Sequence, residues 1–127
     1  MKEEDKKLLL KDLSARLTCG VKAYVKNWSK LDRKYYEGVY TVESIDPSLN
    51  TVLACSDKYC VEVIVGYDDY VIKPYLFPMS EMTEEQYNQY VKYSAIESID
   101  WLNENHFDYR GLIEKELALD ATYLNIY

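Results

Sequence analysis

The N-terminal part of the chain changes from a helical to an alternating hydrophobic pattern. Residues 4–17 place leucines at helical spacing with lysines opposite, which predicts an amphipathic helix with one buried stripe: Leu9, Leu10, Leu13 and Leu17. Gly20 suits the end of this helix, because glycine readily adopts the left-handed conformation that closes many helices. Residues 21–28 then alternate apolar and polar side chains and predict a half-buried strand with a basic outer face.

Four further stretches have strand composition. Residues 35–46 are rich in tyrosine and valine, the turn sequence DPSLN follows, and residues 51–55 are expected to pair back as a hairpin. Residues 60–66 and 68–73 are two more strand candidates. Five short strands with brief connections predict an α+β fold that contains a small bent antiparallel five-stranded sheet or an SH3-like partial barrel.

The segment KPYLFP at 73–78 predicts the change from sheet to helix. Pro74 cannot donate a hydrogen bond to a sheet, and Pro78 disfavours helix at the residue before it. The residues between them are therefore expected to leave the sheet in an extended conformation. Thr83 with Gln86 matches a capping box that begins a helix.

The chain beyond residue 78 is predicted to be helical. Apolar residues keep helical spacing to about residue 105: Tyr87, Tyr90, Val91, Ala95, Ile99 and Leu102. Ser94 with Glu97 forms a second capping pattern, so the pattern allows either one helix or two. Asp108 is a suitable N-cap for a last helix over residues 109–117, with Leu112, Ile113 and Leu117 inward.

The length of 127 residues predicts a single domain with three parts: the N-terminal helix at 1–17, the sheet or partial barrel at 18–77, and a helical subdomain at 78–127. No stretch approaches the length of a membrane span or of a signal-peptide core, so we expect a cytoplasmic protein without a membrane partner. Three cysteines without CxxC spacing predict free thiols, with Cys55 and Cys60 able to face each other across a hairpin.

The net charge of −7 is unevenly distributed. Residues 1–36 carry ten Lys/Arg against five Asp/Glu, whereas residues 37–127 carry five against seventeen. The segment 22–36 interleaves basic and aromatic side chains, as single-stranded nucleic-acid and nucleotide sites do: Lys22, Tyr24, Lys26, Trp28, Lys30, Arg33 and Lys34. The alternative is an ordinary solvated strand face, which the acidic remainder of the chain favours.

Residue spacing argues against the common catalytic and metal sites. The single histidine, His106, lies two residues from Asp108 but at a predicted helix end, where a capping role is the simpler interpretation. The cysteines lack the short spacing of zinc sites, and no glycine-rich phosphate loop occurs. We therefore predict no catalytic residues, no metal and no cofactor, and keep a small enzyme with a site near His106 as a second alternative.

Three blocks resemble a known group of sequences: KDLSARLTCGVK at 11–22, KPYLFPMSEMTEEQ at 73–86 and DWLNENHFDYRGLIEKELALDA at 100–121. They are similar to small uncharacterised proteins encoded by gut bacteria of the Bacteroides group and by their phages and mobile elements. The resemblance implies no activity, but its genomic setting implies a protein that acts on a host component. Relatives tend to have Pro-Tyr at Thr18-Cys19 and Gly at Glu116.

The aromatic content and the missing catalytic sets favour a non-catalytic protein that binds an unidentified protein partner. Fourteen tyrosines are present, and Tyr, Trp and Arg contribute most of the binding energy at interfaces. Candidate contact residues lie in or beside the blocks of family resemblance: Tyr75, Trp101, His106, Asp108, Tyr109 and Arg110. Binding of nucleic acid or a nucleotide by the basic aromatic segment is the first alternative.

Overall fold

A computed structural model describes all residues 1–127 and places one helix before the first five strands of an open sheet and two helices after them. Helix α1 spans Glu3–Ala15. The first five strands are β1 Lys22–Ser29, β2 Lys34–Asp46, β3 Thr51–Cys55, β4 Cys60–Ile64 and β5 Tyr70–Leu76. They are followed by helices α2 (Glu84–Tyr90) and α3 (Ala95–Glu104) and by a short strand β6 (Leu119–Asp120).

The strands form one sheet in the order β4-β3-β2-β1-β5-β6. The first five strands pair antiparallel, which confirms the predicted α+β fold and its five antiparallel strands. The sheet does not close into a barrel, and the two-residue strand β6 adds a parallel pairing to β5 that was not predicted. None of the helices combines the length and the apolar character needed to cross a membrane.

Helix α1 covers the inner face of the sheet. Leu9, Leu10 and Leu13 are buried, as the helical pattern predicted. They join one core cluster with Ala23 and Val25 of β1, with Val21 directly before it, and with residues of the other strands. The predicted alternation along β1 is therefore confirmed, and it leaves the even-numbered side chains of β1 on the opposite face of the sheet.

Strand β5 continues through Pro74 to Leu76, beyond the predicted end at residue 73. The Trp28 N–H donates to the Asp69 carbonyl at 2.9 Å, so Trp28 and Asp69 form a hydrogen-bonded pair between β1 and β5. Hydrogen-bonded and non-bonded pairs alternate along antiparallel strands, and this one pair therefore assigns all the others. Pro74 faces Ala23 in a non-bonded pair. The missing N–H of proline therefore removes no hydrogen bond between the two strands.

The junction after β5 confirms the predicted change of architecture. The Phe77 N–H donates to the His106 carbonyl at 2.8 Å, and the Asp108 N–H donates to the Phe77 carbonyl at 2.8 Å. Thr83 and Gln86 form the predicted capping box, with distances of 3.1 Å and 2.9 Å for its two hydrogen bonds. The Ser94 hydroxyl caps α3, so residues 84–104 form two helices rather than one.

The predicted apolar stripe of the helical part does not form a core. Of its six residues only Leu102 is buried. The chain bends between α2 and α3, so residues that would share a face in one continuous helix no longer do so. Among the other five, Tyr90 is half-buried and contacts Trp101, which lies outside the stripe; the two ring centroids are 6.1 Å apart.

Residues 109–117 form turns, so the predicted last helix is wrong. Gly111 and Glu116 have φ values of 73° and 61°, in the left-handed region that a right-handed helix excludes. Asp108 nevertheless caps this segment, because its carboxylate oxygens accept the N–H groups of Leu112 at 2.8 Å and Ile113 at 2.9 Å.

The predicted free thiols at Cys55 and Cys60 are also wrong, because these residues form a disulfide across the β3–β4 hairpin. The Ser56 N–H donates to the Tyr59 carbonyl at 2.9 Å and closes the turn between the strands. This turn brings the two cysteines opposite each other in the strand register. Cys19 keeps a free thiol.

Glu116→Gly tests the backbone strain of the C-terminal turns. Glycine adopts a positive φ without steric cost, so we expect the free energy of unfolding in urea to rise by about 0.5 kcal/mol, after the entropy of the unfolded glycine is subtracted. Glu114→Gly is the matched control, because the φ of Glu114 is not positive, and it should lose about 0.5 kcal/mol. Equal losses for both variants would contradict the assigned conformation.

Candidate functional site

A buried group of charged side chains connects α1 to the C-terminal segment. Asp12 and Arg16 are both completely buried. The Arg16 Nε donates to Asp12 Oδ2 at 2.9 Å, and the Arg110 Nη1 donates to Asp12 Oδ1 at 3.0 Å. One carboxylate therefore binds two guanidinium groups, which compensates part of the cost of removing these charges from water.

The same network fixes the residues that follow α3. Arg16 Nη2 donates to the Phe107 carbonyl, and Arg110 Nη1 also lies 2.8 Å from the Tyr109 hydroxyl. The Tyr109 hydroxyl in turn donates to Asn103 Oδ1 at 2.8 Å. Two of the predicted protein-contact residues, Tyr109 and Arg110, thus use their polar groups inside the molecule.

His106 ends α3 in a left-handed conformation with a φ of 62°. Its N–H donates to the Asn103 carbonyl at 3.2 Å, and the Phe107 N–H donates to the Leu102 carbonyl at 2.9 Å. These two bonds form a Schellman motif, in which glycine commonly occupies the position of His106. The capping interpretation is therefore correct for the backbone, while the ring stacks on Tyr127 with centroids 3.6 Å apart.

The environment of the stacked rings keeps both of them uncharged at neutral pH. Burial is the largest cause that lowers the pKa of His106 to about 4, and the nearby charges of Arg16 and Lys22 contribute the rest of the shift. Burial raises the pKa of Tyr127 to about 12. The Tyr127 hydroxyl accepts the Lys22 N–H at 2.9 Å and donates to the Tyr75 carbonyl at 2.8 Å, so it joins the backbones of β1 and β5.

The structure does not bring His106 and Asp108 together as an acid–base pair. Both carboxylate oxygens of Asp108 accept backbone N–H groups, and neither ring nitrogen of His106 has a hydrogen-bond partner. The His106 ring instead lines a cleft of about 290 Å³. The other lining residues are Phe77, Glu81, Gln86, Glu104, Asn105, Phe107 and Tyr127.

The remaining predicted protein-contact residues also lie partly or wholly in the interior. Tyr75, His106 and Asp108 are buried. Trp101 is half-buried and stacks on Phe107 with centroids 5.6 Å apart. These six candidates therefore surround the junction between the sheet and the helices and do not form an exposed patch.

Both helices of the C-terminal part expose apolar side chains that the sequence had assigned to a core or had not singled out. The exposed fractions are 55% for Tyr87, 53% for Val91, 76% for Ile96 and 46% for Ile99. Val91 directly follows α2 in a helical conformation and lies four residues after Tyr87, and Ile96 and Ile99 on α3 are three residues apart, so the members of each pair lie on the same flank. We call these four residues the α2–α3 surface. In the sequence, the capping pattern at Ser94 was the one signal for this surface, because it indicates two helices and therefore a broken apolar stripe.

The surroundings of the α2–α3 surface are acidic. Residues 81–104 contain six Asp/Glu and one lysine, Lys92. None of these charges takes part in an ion pair, because the three salt bridges of the chain lie elsewhere. The surface therefore combines apolar side chains with an uncompensated negative field.

The candidate nucleic-acid residues gather on β1 and on the turn that follows it. Lys22, Tyr24, Lys26 and Trp28 lie on the outer face of the sheet, while Lys30, Arg33 and Lys34 are exposed at the hairpin. Trp28 pairs with Tyr35 at a centroid distance of 4.9 Å, and the Lys26 ammonium lies 4.4 Å from the Tyr35 ring centre. Lys22 and Tyr24 have internal partners, since Lys22 Nζ donates to the Ile126 carbonyl at 3.1 Å and the Tyr24 hydroxyl donates to Glu37.

Comparison with known proteins adds no further assignment to these sites. No family model matches the chain, and no curated protein or solved structure is significantly similar to it. The family resemblance of the three sequence blocks therefore stays a prediction. What the chain does has to be inferred from its own geometry.

The neutral state of His106 predicts a pH-dependent stability. The pKa is about 4 in the folded chain and near 6.5 in the unfolded chain, so the unfolded chain binds the proton first as the pH falls. The stabilisation is complete above pH 6.5 and is lost towards pH 4, by roughly 3 kcal/mol in total. Urea unfolding at several pH values measures this loss.

His106→Asn is the matched control, because asparagine tolerates a positive φ and does not titrate. The difference in unfolding free energy between wild type and variant should shrink as the pH falls from 6.5 to 4. An NMR titration gives the pKa directly, since the chain has one histidine. A midpoint near 6.5 in the folded protein would contradict the buried placement of the ring.

Proposed function

We propose that this chain is a non-catalytic binding protein whose partner is another protein, and that the partner docks on the α2–α3 surface. The observation that carries the proposal is the exposure of four large apolar side chains on two consecutive helices. Apolar side chains grouped on a surface commonly mark interaction sites in soluble proteins. Burial of such side chains supplies most of the favourable free energy of association.

The charge around the surface defines the class of partner. Six carboxylates and one lysine within residues 81–104 favour a partner segment that combines apolar side chains with lysine or arginine. A like-charged acidic partner would be repelled. The resemblance to proteins of the Bacteroides group and their phages and mobile elements supports a partner from a bacterial host.

A cytoplasmic location is part of this proposal. In a reducing cytoplasm the Cys55–Cys60 disulfide would open to two thiols. These cysteines lie at the β3–β4 hairpin and outside the α2–α3 surface. Docking on the two helices is therefore expected in either redox state.

Affinity capture with a surface variant tests the proposed function. We expect the wild-type chain to retain a nuclease-resistant protein from a lysate of a Bacteroides-group bacterium. The combined substitution of Tyr87, Val91, Ile96 and Ile99 by serine should abolish this capture, because it removes the apolar contact area. Quantitative mass spectrometry of the retained proteins gives the measurement.

The control carries Leu31→Ser and Leu49→Ser, two leucines that are 92% and 63% exposed outside the helical part. Capture by this control should equal that by wild type. Each changed side chain is exposed, so each single substitution should alter the free energy of unfolding by no more than about 0.5 kcal/mol, and urea unfolding should show that both variants remain folded. Equal capture by the helix variant and the control would contradict docking on α2 and α3.

Binding of single-stranded nucleic acid or a nucleotide is the second candidate function. It is favoured by the Trp28–Tyr35 aromatic pair beside Lys26, with further basic side chains at the adjacent hairpin. Bases could stack on these rings while the ammonium and guanidinium groups bind phosphates. The acidic remainder of the chain opposes this binding, which is why we place it second.

Fluorescence polarisation with a labelled single-stranded oligonucleotide tests this candidate. If it is correct, the combined variant of Trp28, Lys30 and Arg33 to alanine should bind at least about tenfold more weakly, and wild-type affinity should fall steeply as salt rises. Lys11→Ala is the control for loss of an exposed charge elsewhere. Affinity that is insensitive to salt and to the combined variant would exclude this site.

A further inference from the structure

The cleft beside His106 combines aromatic walls with an acidic rim. Phe77, Phe107 and Tyr127 contribute their rings, and the centroid of the Phe77 ring lies 6.2 Å from that of Phe107 and 6.0 Å from that of Tyr127. Glu81 and Glu104 contribute exposed carboxylates that take part in no salt bridge. Its volume of about 290 Å³ is sufficient for one long side chain.

The hydrogen-bonding groups of the cleft are mainly acceptors. Asn105 donates its Nδ2 to the Trp101 carbonyl at 2.9 Å, which leaves its Oδ1 free to accept. Gln86 commits its Oε1 to the Thr83 N–H at 2.9 Å and keeps only its amide N–H groups. Together with the carboxylates of Glu81 and Glu104, the cleft therefore offers more acceptors than donors to a ligand.

The charge of the cleft is negative as well. No lysine or arginine lines it, and His106 is neutral at physiological pH because burial holds its pKa at about 4. The positive charges of Arg16 and Lys22 lie near enough to His106 to lower its pKa, but neither residue lines the cleft: Arg16 pairs with Asp12, and Lys22 Nζ donates to the Ile126 carbonyl at 3.1 Å. His106 lines the cleft and is 91% buried, and its Nδ1 has no hydrogen-bond partner.

We propose that this cleft binds the guanidinium group of an arginine side chain presented by the protein partner. A guanidinium is planar, carries five N–H donors and stacks on aromatic rings, so it matches the rings, the acceptors and the carboxylates together. A lysine ammonium supplies the charge but not the flat face. The cleft thus holds the basic anchor of the partner, and the α2–α3 surface holds its apolar residues.

This inference rests on the proposed function, because the arginine belongs to the docked partner. The residues of the cleft come from both helical ends and the junction: Gln86 lies on α2, Glu104 ends α3, and Phe77 follows β5. Because α2 and α3 contribute residues both to the cleft and to the α2–α3 surface, we expect one docked segment to contact both. The cleft and the α2–α3 surface nevertheless share no residue, so they can be tested separately.

NMR titration with blocked amino acids tests the cleft alone. The probe is N-acetyl-arginine methylamide, and its matched neutral analogue is N-acetyl-citrulline methylamide. We expect the arginine probe to shift the ring signals of His106, the single histidine of the chain, and to bind at least about tenfold more tightly than the citrulline probe. N-acetyl-lysine methylamide should bind more weakly than the arginine probe.

Two variants make the result specific. Glu81→Gln with Glu104→Gln removes the carboxylates of the rim and should weaken the arginine probe about tenfold, as two exposed ion pairs together predict. Glu114→Gln removes an exposed carboxylate that does not line the cleft and should leave the affinity unchanged. Equal binding of arginine and citrulline, or equal affinity of wild type and the double variant, would overturn the inference.

The source of the guanidinium and the link to the partner need two more comparisons. Free L-arginine that binds tenfold more tightly than the blocked probe would identify a small-molecule site and would overturn the peptide assignment. Suppose that partner capture requires the α2–α3 surface but is unchanged by Glu81→Gln with Glu104→Gln. That result would support the proposed function and would contradict the binding of a partner arginine in the cleft. If the arginine probe binds but no partner protein is captured, the result would contradict the proposed function and would identify the cleft as a site that binds a guanidinium group without a protein partner.

Discussion

The carboxylate of Asp12 organises the part of the molecule on which the candidate sites depend. It binds Arg16, which directly follows its own helix, and Arg110, which lies 98 residues further along the chain. Arg16 also holds the Phe107 carbonyl, and the neighbouring backbone pairs with Phe77 at the end of the sheet. Loss of one partner from such a buried group costs about 3–5 kcal/mol, because an uncompensated charge stays behind. The network of Asp12 therefore connects α1 to the segment around Phe107, which lines the cleft.

The sequence predicted correctly those elements that depend on contacts between residues close together in the chain. The leucine stripe of α1, the alternation along β1 and the Thr83–Gln86 capping box depend on side chains within a few residues of one another. The five antiparallel strands followed from their composition and short turns. The basic aromatic outer face of β1 was predictable for the same reason, since alternation alone assigns its side chains to one side of the sheet.

The features that the sequence did not predict depend mainly on contacts between residues far apart in the chain. Asp12 and Arg16 look like ordinary surface charges of an amphipathic helix, and only the remote Arg110 explains why they are buried. Trp101, Tyr109 and Arg110 have the residue types of an interface, yet the network uses the polar groups of Tyr109 and Arg110 internally, and Trp101 stacks on Phe107. The left-handed backbone at Glu116 replaced a predicted helix by turns, and the bend before Ser94 turned a predicted core stripe into the α2–α3 surface.

The proline inside β5 has a consequence for how the sheet assembles. A shift of one residue between β1 and β5 would place Pro74 in a bonded pair, where a carbonyl of β1 would face a ring nitrogen that carries no proton. The same shift would turn Ile72 from the core to solvent. Pro74 therefore disfavours every shift of the two strands by an odd number of residues. The alignment that forms places Phe77 opposite Phe107, so a residue without a hydrogen-bond donor helps to define where the helical part attaches to the sheet.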